Sequence, residues 1–448
     1  EWEDAMRRRV LTLLLVAAVV GLGTTACDVR VAGRRCTVNG ATAQDATHVL
    51  VCTKGRWSRT ITKGQAALIL LSVIQSKTPV DVDAGNGHSC ATMQNGDVKC
   101  WGFNSSGQLG DGTTTNSGRP VLVLGANVNG LNSVATIGGT VLAGDIDVGA
   151  EFGCSRRASK FKASDTSTLS CWGYNGFGQL GDGSTTNALT PKSVAVGTGV
   201  LDAATGTVHS CAAIEFGGVK CWGQNTAGQL GDGSTSAKSS PTPVTGITSA
   251  SVVTAGNGHS CAGSGSTIWC WGANGSGQLG DGTTTNRTAP VAVASIAAER
   301  VEAGGDSTCA VFPNRTVACW GANGSGQLGD GTTTSRSVPT AVGGLSDVAE
   351  VSVGHDHTCA VVGDVSAGAG TVRCWGNNDR GQLGNGTTTA SSTPVAVPGL
   401  TKVTDVAAGF GHTCAVSDQR VWCWGRNDFG QLGDTSTTDR LIPVVTPT

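Results

Sequence analysis

The sequence predicts an all-β chain: a seven-bladed β-propeller of four-stranded antiparallel blades, preceded by a small N-terminal disulfide-closed module. Three observations lead there. One phrase recurs seven times, and its tryptophans (Trp101, Trp172, Trp222, Trp271, Trp320, Trp375 and Trp424) are spaced 71, 50, 49, 49, 55 and 49 residues apart; a period near 50 signals a closed propeller or a solenoid. Each unit holds four short strand patterns separated by Gly- and Asn-rich turns. Helical periodicity is absent from the units, which disfavours a helical solenoid.

Length and composition agree with a repeat architecture. A single hydrophobic core stops growing at about 250–300 residues, so 448 residues need several domains or a repeat. Glycine supplies 68 positions, roughly twice the usual ~7%, without the three-residue period of collagen. Charged residues make up 14% and the formal net charge is −2. Low net charge with ample Val, Leu and Ile excludes disorder, and near-neutrality excludes a strongly basic nucleic-acid binder.

Residues 1–27 read as an address, with Met6 as the working start. Arg7, Arg8 and Arg9 precede an apolar run from Val10 to Leu22, a secretory signal too short for a membrane span. Thr24-Thr25-Ala26-Cys27 resembles a bacterial lipobox, in which Cys27 is lipidated and becomes the mature N-terminus; ordinary cleavage after Thr-x-Ala is the alternative. Both readings place the mature protein outside the cytoplasm, lipid-anchored in a bacterial cell envelope or secreted. Residues 28–62 form a small β-module closed by Cys36–Cys52. Residues 63–78, with the apolar run KGQAALILLSVIQSK, are a linker or short helix.

The propeller then occupies residues 79–448. Its first unit shows strands at Val80–Ala84, Ser89–Met93, Val98–Trp101 and Val121–Leu124. That unit lacks a preceding PVAV-type outer strand, and the chain ends with one (IPVVTPT). Ile442–Val445 is therefore expected to join the blade of Val80–Asp83 and close the ring, removing exposed edges.

The recurring text GHSCA…VKCWG-x-N-x-x-GQLGDGTT…PV-x-V resembles the regulator of chromosome condensation repeat over about residues 79–448, including its secreted bacterial relatives. Among those is a propeller type that inhibits β-lactamases by binding across one face of the ring. The resemblance implies the propeller. Its implications for function are broader, because propellers host unrelated activities.

Seventeen cysteines resolve into one pair per unit, one pair in the small module, and Cys27. The unit pairs are Cys90/Cys100, Cys154/Cys171, Cys211/Cys221, Cys261/Cys270, Cys309/Cys319, Cys359/Cys374 and Cys414/Cys423. Each pair spans the hairpin between second and third strands, where opposite Cα atoms lie about 4.5–5.5 Å apart, within reach of a disulfide. Metal binding is the competing reading, because His88, His209, His259, His357 and His412 give H-x-C…C with zinc-ligand residue types. Phe152 and Ser307 break that pattern in two units and a fourth ligand is missing, so no metal and no cofactor is expected. Asp111 and its equivalents sit in Asp-Gly-Thr turns rather than a calcium ladder.

Repeated residues are structural; the informative positions vary inside W-G-x-N-x-x-G. Units three to five carry small or polar residues there. Units one, two, six and seven carry Phe103, Tyr174, Phe177, Asp379, Arg380, Arg426, Asp428 and Phe429, and Phe152 and Phe410 join them from a shorter loop. Unit seven neighbours unit one, so these residues form one sector of one face. Aromatics and arginine dominate protein-binding hot spots; the competing reading is aromatic cover over the central channel. In unit two, a hairpin with Arg156, Arg157, Lys160 and Lys162 and an insertion around Ala126–Thr140 read as solvated loops.

No G-x-S-x-G, H-E-x-x-H or P-loop is present. The expected function is a non-catalytic, monomeric propeller that binds an envelope or extracellular protein, or a glycan, through loops on one face. The alternatives are guanine-nucleotide exchange, implied by the family resemblance, and a carbohydrate-active propeller enzyme.

Overall fold

The computed structural model describes residues 42–44, 48–53, 56–62 and 78–448, apart from 127–144, 158–167, 198, 266, 294–295, 297 and 299. The chain divides into two compact units, Glu1–Lys77 and Thr78–Thr448. In the first, Thr42–Gln44, His48–Thr53 and Arg56–Thr62 form an antiparallel sheet in that order. Cys52 falls on the second of these strands. The signal, Cys27, Cys36 and the segment 63–77 lie outside the described residues, as do Lys160, Lys162 and nearly all of the unit-two insertion.

The second unit is seven sheets, each built from four consecutive antiparallel strands. In the first blade these are Pro79–Ala84, His88–Met93, Val98–Gly102 and Ser117–Leu122. In the seventh they are Val403–Ala408, His412–Ser417, Arg420–Gly425 and Arg440–Thr446. Within each blade the first strand lines the central channel and the fourth is the outer edge. Every outer strand carries a proline at its middle (Pro120, Pro191, Pro241, Pro290, Pro339, Pro394 and Pro443), which denies an incoming strand the N–H it would pair with.

The expected shared closing strand is not formed. Arg440–Thr446 pairs with Arg420–Gly425, placing Cys423 opposite Val444, and the first blade has its own outer strand in Ser117–Leu122. The reason is local: each GQLG turn leads directly into the outer strand of its own blade. In the last blade, Thr446 Oγ1 donates to Leu432 O at 2.7 Å.

The ring closes instead through the contact that joins every other pair of blades. Each tryptophan follows a cysteine, so it faces away from the disulfide and into the gap between blades. There its indole Nε1–H donates to the backbone carbonyl of the GQLG glutamine in the preceding blade. Trp172 reaches Gln108 at 3.0 Å, Trp222 reaches Gln179 at 2.8 Å, and Trp101 reaches Gln431 across the closure at 2.8 Å. All seven indoles are fully buried. The apolar core is correspondingly interbladal: one cluster joins Val82, Met93 and Trp101 of the first blade to Val416 and Leu432 of the seventh.

A ring of glycines sits where the first strands end. A Cβ on Gly85 would lie 2.2 Å from the carbonyl oxygen of Gly149, and one on Gly409 would lie 2.6 Å from that of Gly85. Only glycine permits this approach of backbone to backbone, and the chain repeats it around the channel.

Each blade is stapled by the disulfide expected for it. In blade order the bridges are Cys90–Cys100, Cys154–Cys171, Cys211–Cys221, Cys261–Cys270, Cys309–Cys319, Cys359–Cys374 and Cys414–Cys423. In every blade the two cysteines are direct cross-strand partners on the second and third strands. Cys171 meets Cys154 in this register even though the second blade's hairpin separates them by 17 residues, and Cys374 meets Cys359 across a separation of 15. Hairpin length therefore varies beyond the bridge without moving it. In one respect the pairs depart from expectation: their Cα atoms are 4.0–4.1 Å apart, closer than the usual spacing of opposed strand residues, because the cross-strand bond draws them together. Seven such bridges belong with an oxidising environment.

Gly409→Ala forces a methyl against backbone that cannot rotate away, so it is expected to lower the urea midpoint by an amount equivalent to about 1–3 kcal/mol. Gly343→Ala, with nothing within 4 Å of the added carbon, is expected to leave the midpoint unchanged.

Candidate functional site

Four of the five H-x-C histidines are spent on the framework. Ser260 Oγ donates its one hydrogen to Gln229 O at 3.0 Å, so it must accept from His209 Nε2 at 2.8 Å. The same relay runs from His259 through Thr308 to Gln278, from His357 through Thr413 to Gln382, and from His412 through Ser89 to Gln431. Burial pushes these imidazoles down, His209 and His357 to about 4 and His259 and His412 to about 3, so they are neutral donors. The cysteines beside them are in disulfides. In the second blade Gly153 stands where the hydroxyl should be, and buried His88 has no partner at either ring nitrogen.

The repeated acids of the Asp-Gly-Thr turns are also satisfied internally. Asp281 Oδ1 accepts from Thr283 N at 2.9 Å, and Asp281 Oδ2 pairs with Arg287 at 2.8 Å. The adjacent Asn274 takes Leu279 N at 3.0 Å and donates to Thr283 O and Thr285 O.

The structure brings together varied loops of blades six, seven and one. Phe103 and Phe429 stack with ring centroids 4.7 Å apart, and the Arg426 guanidinium lies 5.6 Å from the Phe429 centroid. A Cβ on Gly87 would meet Phe429 at 3.0 Å and Phe103 at 3.3 Å, so the shorter loop forms the shelf on which the two rings rest. Arg426 pairs with Asp428 at 2.6 Å, and Arg380 with Asp439 at 3.2 Å and Asp428 at 3.9 Å; Asp379 accepts from Gln382 Nε2 at 3.1 Å. Tyr174 and Phe177 form an edge-on pair at 6.3 Å. Phe410, 40% exposed, stacks on His355 at 4.2 Å. Phe152 does not belong to this group. It is fully buried among Cys154, Leu180 and Trp222, because it takes the inward position that histidine holds in five other blades.

Two features of this face escape a reading of the loops alone. The first is a set of glutamine amides. In blades three, four and six, Gln229, Gln278 and Gln382 donate through Nε2 to the face residues Gln224, Asp306 and Asp379. In the contiguous blades seven, one and two, Gln431, Gln108 and Gln179 are buried and their Nε2 groups have no acceptor. Phe103 and Tyr174 occupy the position of the acceptor Gln224. An unmet buried donor costs about 1–3 kcal/mol.

The second is the channel. Asp83, Asp147 and Glu302, with Thr254 and Ser352, line a cavity of about 270 Å³ that opens among Asn86, Thr207, Asn257, His355 and Phe410 in the middle of this face. Asp81, Asp202, Glu350 and Asp405 lie one strand repeat deeper. The inner strands have a free edge, and these carboxyls cap it: Asp405 takes Val82 N at 2.6 Å, Asp202 takes Val253 N at 2.8 Å and Asp147 takes Thr205 N at 2.9 Å. Burial, reinforced by neighbouring carboxyls, pushes Asp83 and Asp202 up to about 7 and Asp147 and Glu302 to about 8. Glu350 rises to about 7, and Asp81 and Asp405, hydrogen-bonded to each other, lie well above the carboxylate range. The signal was the recurring inward acid of VDVDAG, IDVGA, LDAATG, VEAGG, AEVSVG and TDVAAG.

Fold and site together define a disulfide-stapled repeat propeller with one differentiated face. The regulator of chromosome condensation (RCC1) repeat matches residues 169–213, 217–262, 266–311, 316–361, 369–416 and 418–448, and a second form of it matches 80–108 and 403–431. The chain belongs to the RCC1 repeat family. The E3 ubiquitin-protein ligase HERC2 of Homo sapiens and that of Mus musculus are each 46% identical over 70 residues, which is 15% of this chain; the chain spans about 1% of their length. Human WBSCR16 superposes with a TM-score of 0.65 at 21% identity, covering 79% of this chain and 94% of that one. Yeast RCC1 (Prp20), solved bound to Kap60, gives 0.64 at 17% identity, covering 84% and 85%. These likenesses establish the fold.

Two expectations follow. Gly153→Ser supplies the missing link between His88 and Gln108 O, beside an indole carbon 3.3 Å from the new Cβ, a spacing the other blades accommodate with Ser or Thr. It is expected to stabilise by about 1 kcal/mol in urea melts, whereas Gly153→Ala gains nothing. The channel carboxyls have folded pKa values raised from about 4 to about 7–8, so the folded state holds more protons between those limits and stability falls as pH rises through them. The depressed histidines act oppositely, but only below about 6.5. Urea midpoints should therefore drop between about pH 6.5 and 8.5, and Asp405→Asn should flatten that drop.

Proposed function

We propose that the protein is an exported, lipid-anchored, non-catalytic propeller that binds a protein partner through the sector of its face formed by blades six, seven, one and two. Phe103, Phe429, Arg426, Tyr174, Phe177, Phe410, Arg380, Asp379 and Asp428 make up the surface. The observation that carries the reading is the coincidence in blades seven, one and two. There, aromatic and arginine side chains crowd the face directly over buried glutamine amides left without acceptors, so local stability is given up where hot-spot residue types are displayed. RCC1-like propellers fit protein binding, and the seven disulfides favour an envelope partner over exchange on a cytosolic nucleotide-binding protein. The signal at residues 6–27 and Cys27 supply the export and anchoring part of the reading.

The test is quantitative capture of envelope proteins by the full oxidised chain, followed by affinity measurement for the protein retained. Phe103→Ala with Phe429→Ala should weaken binding about 30-fold or more, the equivalent of at least ~2 kcal/mol at a hot spot, with an unchanged thermal midpoint. Equal affinity of variant and parent would remove the sector from the binding surface.

A further inference from the structure

We propose that the partner inserts a basic side chain, lysine or arginine, into the mouth of the central channel while an adjoining apolar residue packs on Phe103 and Phe429. This rests on the binding-face reading and adds the chemistry of what is bound.

The cavity at the mouth is about 270 Å³, below the roughly 300–1,000 Å³ of small-molecule sites; its size suits one side chain. Its wall carries three carboxyls, Asp83, Asp147 and Glu302, and the hydroxyls of Thr254 and Ser352, and among the described residues no lysine or arginine lines it. Arg300, the one cation on the described inner strands, stands at the deeper end of its strand, where it is exposed. A cation entering from the face passes the rim imidazole of His355, whose charge is paired with Asp356. It then meets the carboxyls, whose raised pKa values of about 7–8 its approach lowers, because a nearby opposite charge favours the ionised form.

The mouth is continuous with the differentiated sector. Phe410 and His355 form its rim as a stacked pair at 4.2 Å. Gly85 and Asn86 line it, and the same loop continues to Gly87, the shelf under Phe429 and Phe103. The unpartnered amides of Gln431, Gln108 and Gln179 belong to the blades on this side of the mouth, whereas their counterparts in blades three, four and six are satisfied by polar face residues. The apolar contact and the cationic contact are thus adjacent, and a basic residue with an apolar neighbour spans both. Among the described residues Glu302 has the fewest hydrogen bonds of the three acids, accepting one from Thr254 Oγ1 at 3.4 Å, with Arg300 acting on it from the deeper side, which leaves its oxygens for a ligand.

The experiment selects a displayed library of random disulfide-closed nonapeptides on the full oxidised chain and measures the affinity of the winners. The expected winners share a lysine or arginine next to an apolar residue. Glu302→Gln and Asp147→Asn should each weaken them tenfold or more; the asparagine carbonyl still accepts from Thr205, and melting curves verify the fold. Replacing the peptide's basic residue by norleucine should cost as much, and combining it with Glu302→Gln should cost little further. Winners that lose affinity on Phe103→Ala but lack a basic residue, or ignore both channel variants, overturn the channel proposal and leave the sector standing. Winners indifferent to Phe103→Ala with Phe429→Ala, yet weakened by Glu302→Gln, support the channel and count against the sector.

Discussion

The backbone carbonyl of the GQLG glutamine is the point on which the ring turns. In the third blade, Gln229 O receives the indole N–H of Trp271 at 2.9 Å and the hydroxyl of Ser260 at 3.0 Å, both from the next blade, and that hydroxyl in turn takes the proton of His209 from its own side. One acceptor thus gathers two donors in a buried gap, where an unmade hydrogen bond is costly and satisfied networks reinforce one another. The glycine that follows the leucine in each phrase has positive φ and lies against the indole; a Cβ on Gly231 would be 2.7 Å from Trp271 Nε1. The repeated words of the sequence are consequently the two halves of one joint, donor half in one blade and acceptor half in the blade before it. Because the seventh joint is made by the same residues as the other six, the ring needs no exchanged strand to close.

That geometry leaves a second problem at the centre. The inner strand of every blade has an edge whose N–H groups face neighbouring strands without a ladder partner. The chain meets them with side chains: carboxylates in most blades, and hydroxyls in two, where Thr254 Oγ1 takes Ala303 N and Ser352 Oγ takes Ala408 N, each at 2.9 Å. Carboxylates are the stronger acceptors, but burying them raises their proton affinity, and converging so many on one axis raises it further, since like charges at short range resist ionising together. Inner-edge capping and an acidic channel are therefore the same feature seen from two directions.

How much of this is legible in the sequence follows from where each residue's partner lies. Strands, blade count and disulfides depend on contacts within a unit, and the cross-strand pairing of Cys90 with Cys100 can be read from a hairpin whose cysteines are 10 residues apart. The closing strand cannot, because the repeat frame is offset from the blade frame: the matched unit 217–262 contains two strands of one blade and two of the next. Ile442–Val445 therefore reads as a strand without a unit, when its hairpin partner begins at Arg420. Phe152 is misplaced for a related reason. It stands one residue past the loop, at the alternation step that turns inward, and its environment is Trp222 of the following blade. The channel acids escape notice since six of the seven blades contribute only one or two each, far apart in the chain, and only closure brings them together.

The sector of the face shows where repetition stops. Blades three to five repeat one another almost verbatim, CWGANGSGQLGDG occurring twice. Loops that carry no part of a joint are free to vary, and they vary most in blades six, seven, one and two. The substitutions there are not neutral decoration. Replacing an acceptor such as Gln224 by Phe103 or Tyr174 leaves a buried amide unmet, and replacing the hydroxyl of the relay by Gly153 leaves both nitrogens of His88 unmet, whereas His209 and His259 in the regular blades lack a partner at Nδ1 alone. A frame in which each blade is independently stapled by a disulfide tolerates that loss locally, because weakening one joint leaves each of the flanking hairpins covalently held. Rigid repetition and local departure are in this way linked: with every blade bridged, one sector of the ring departs from the repeat while each hairpin stays covalently held.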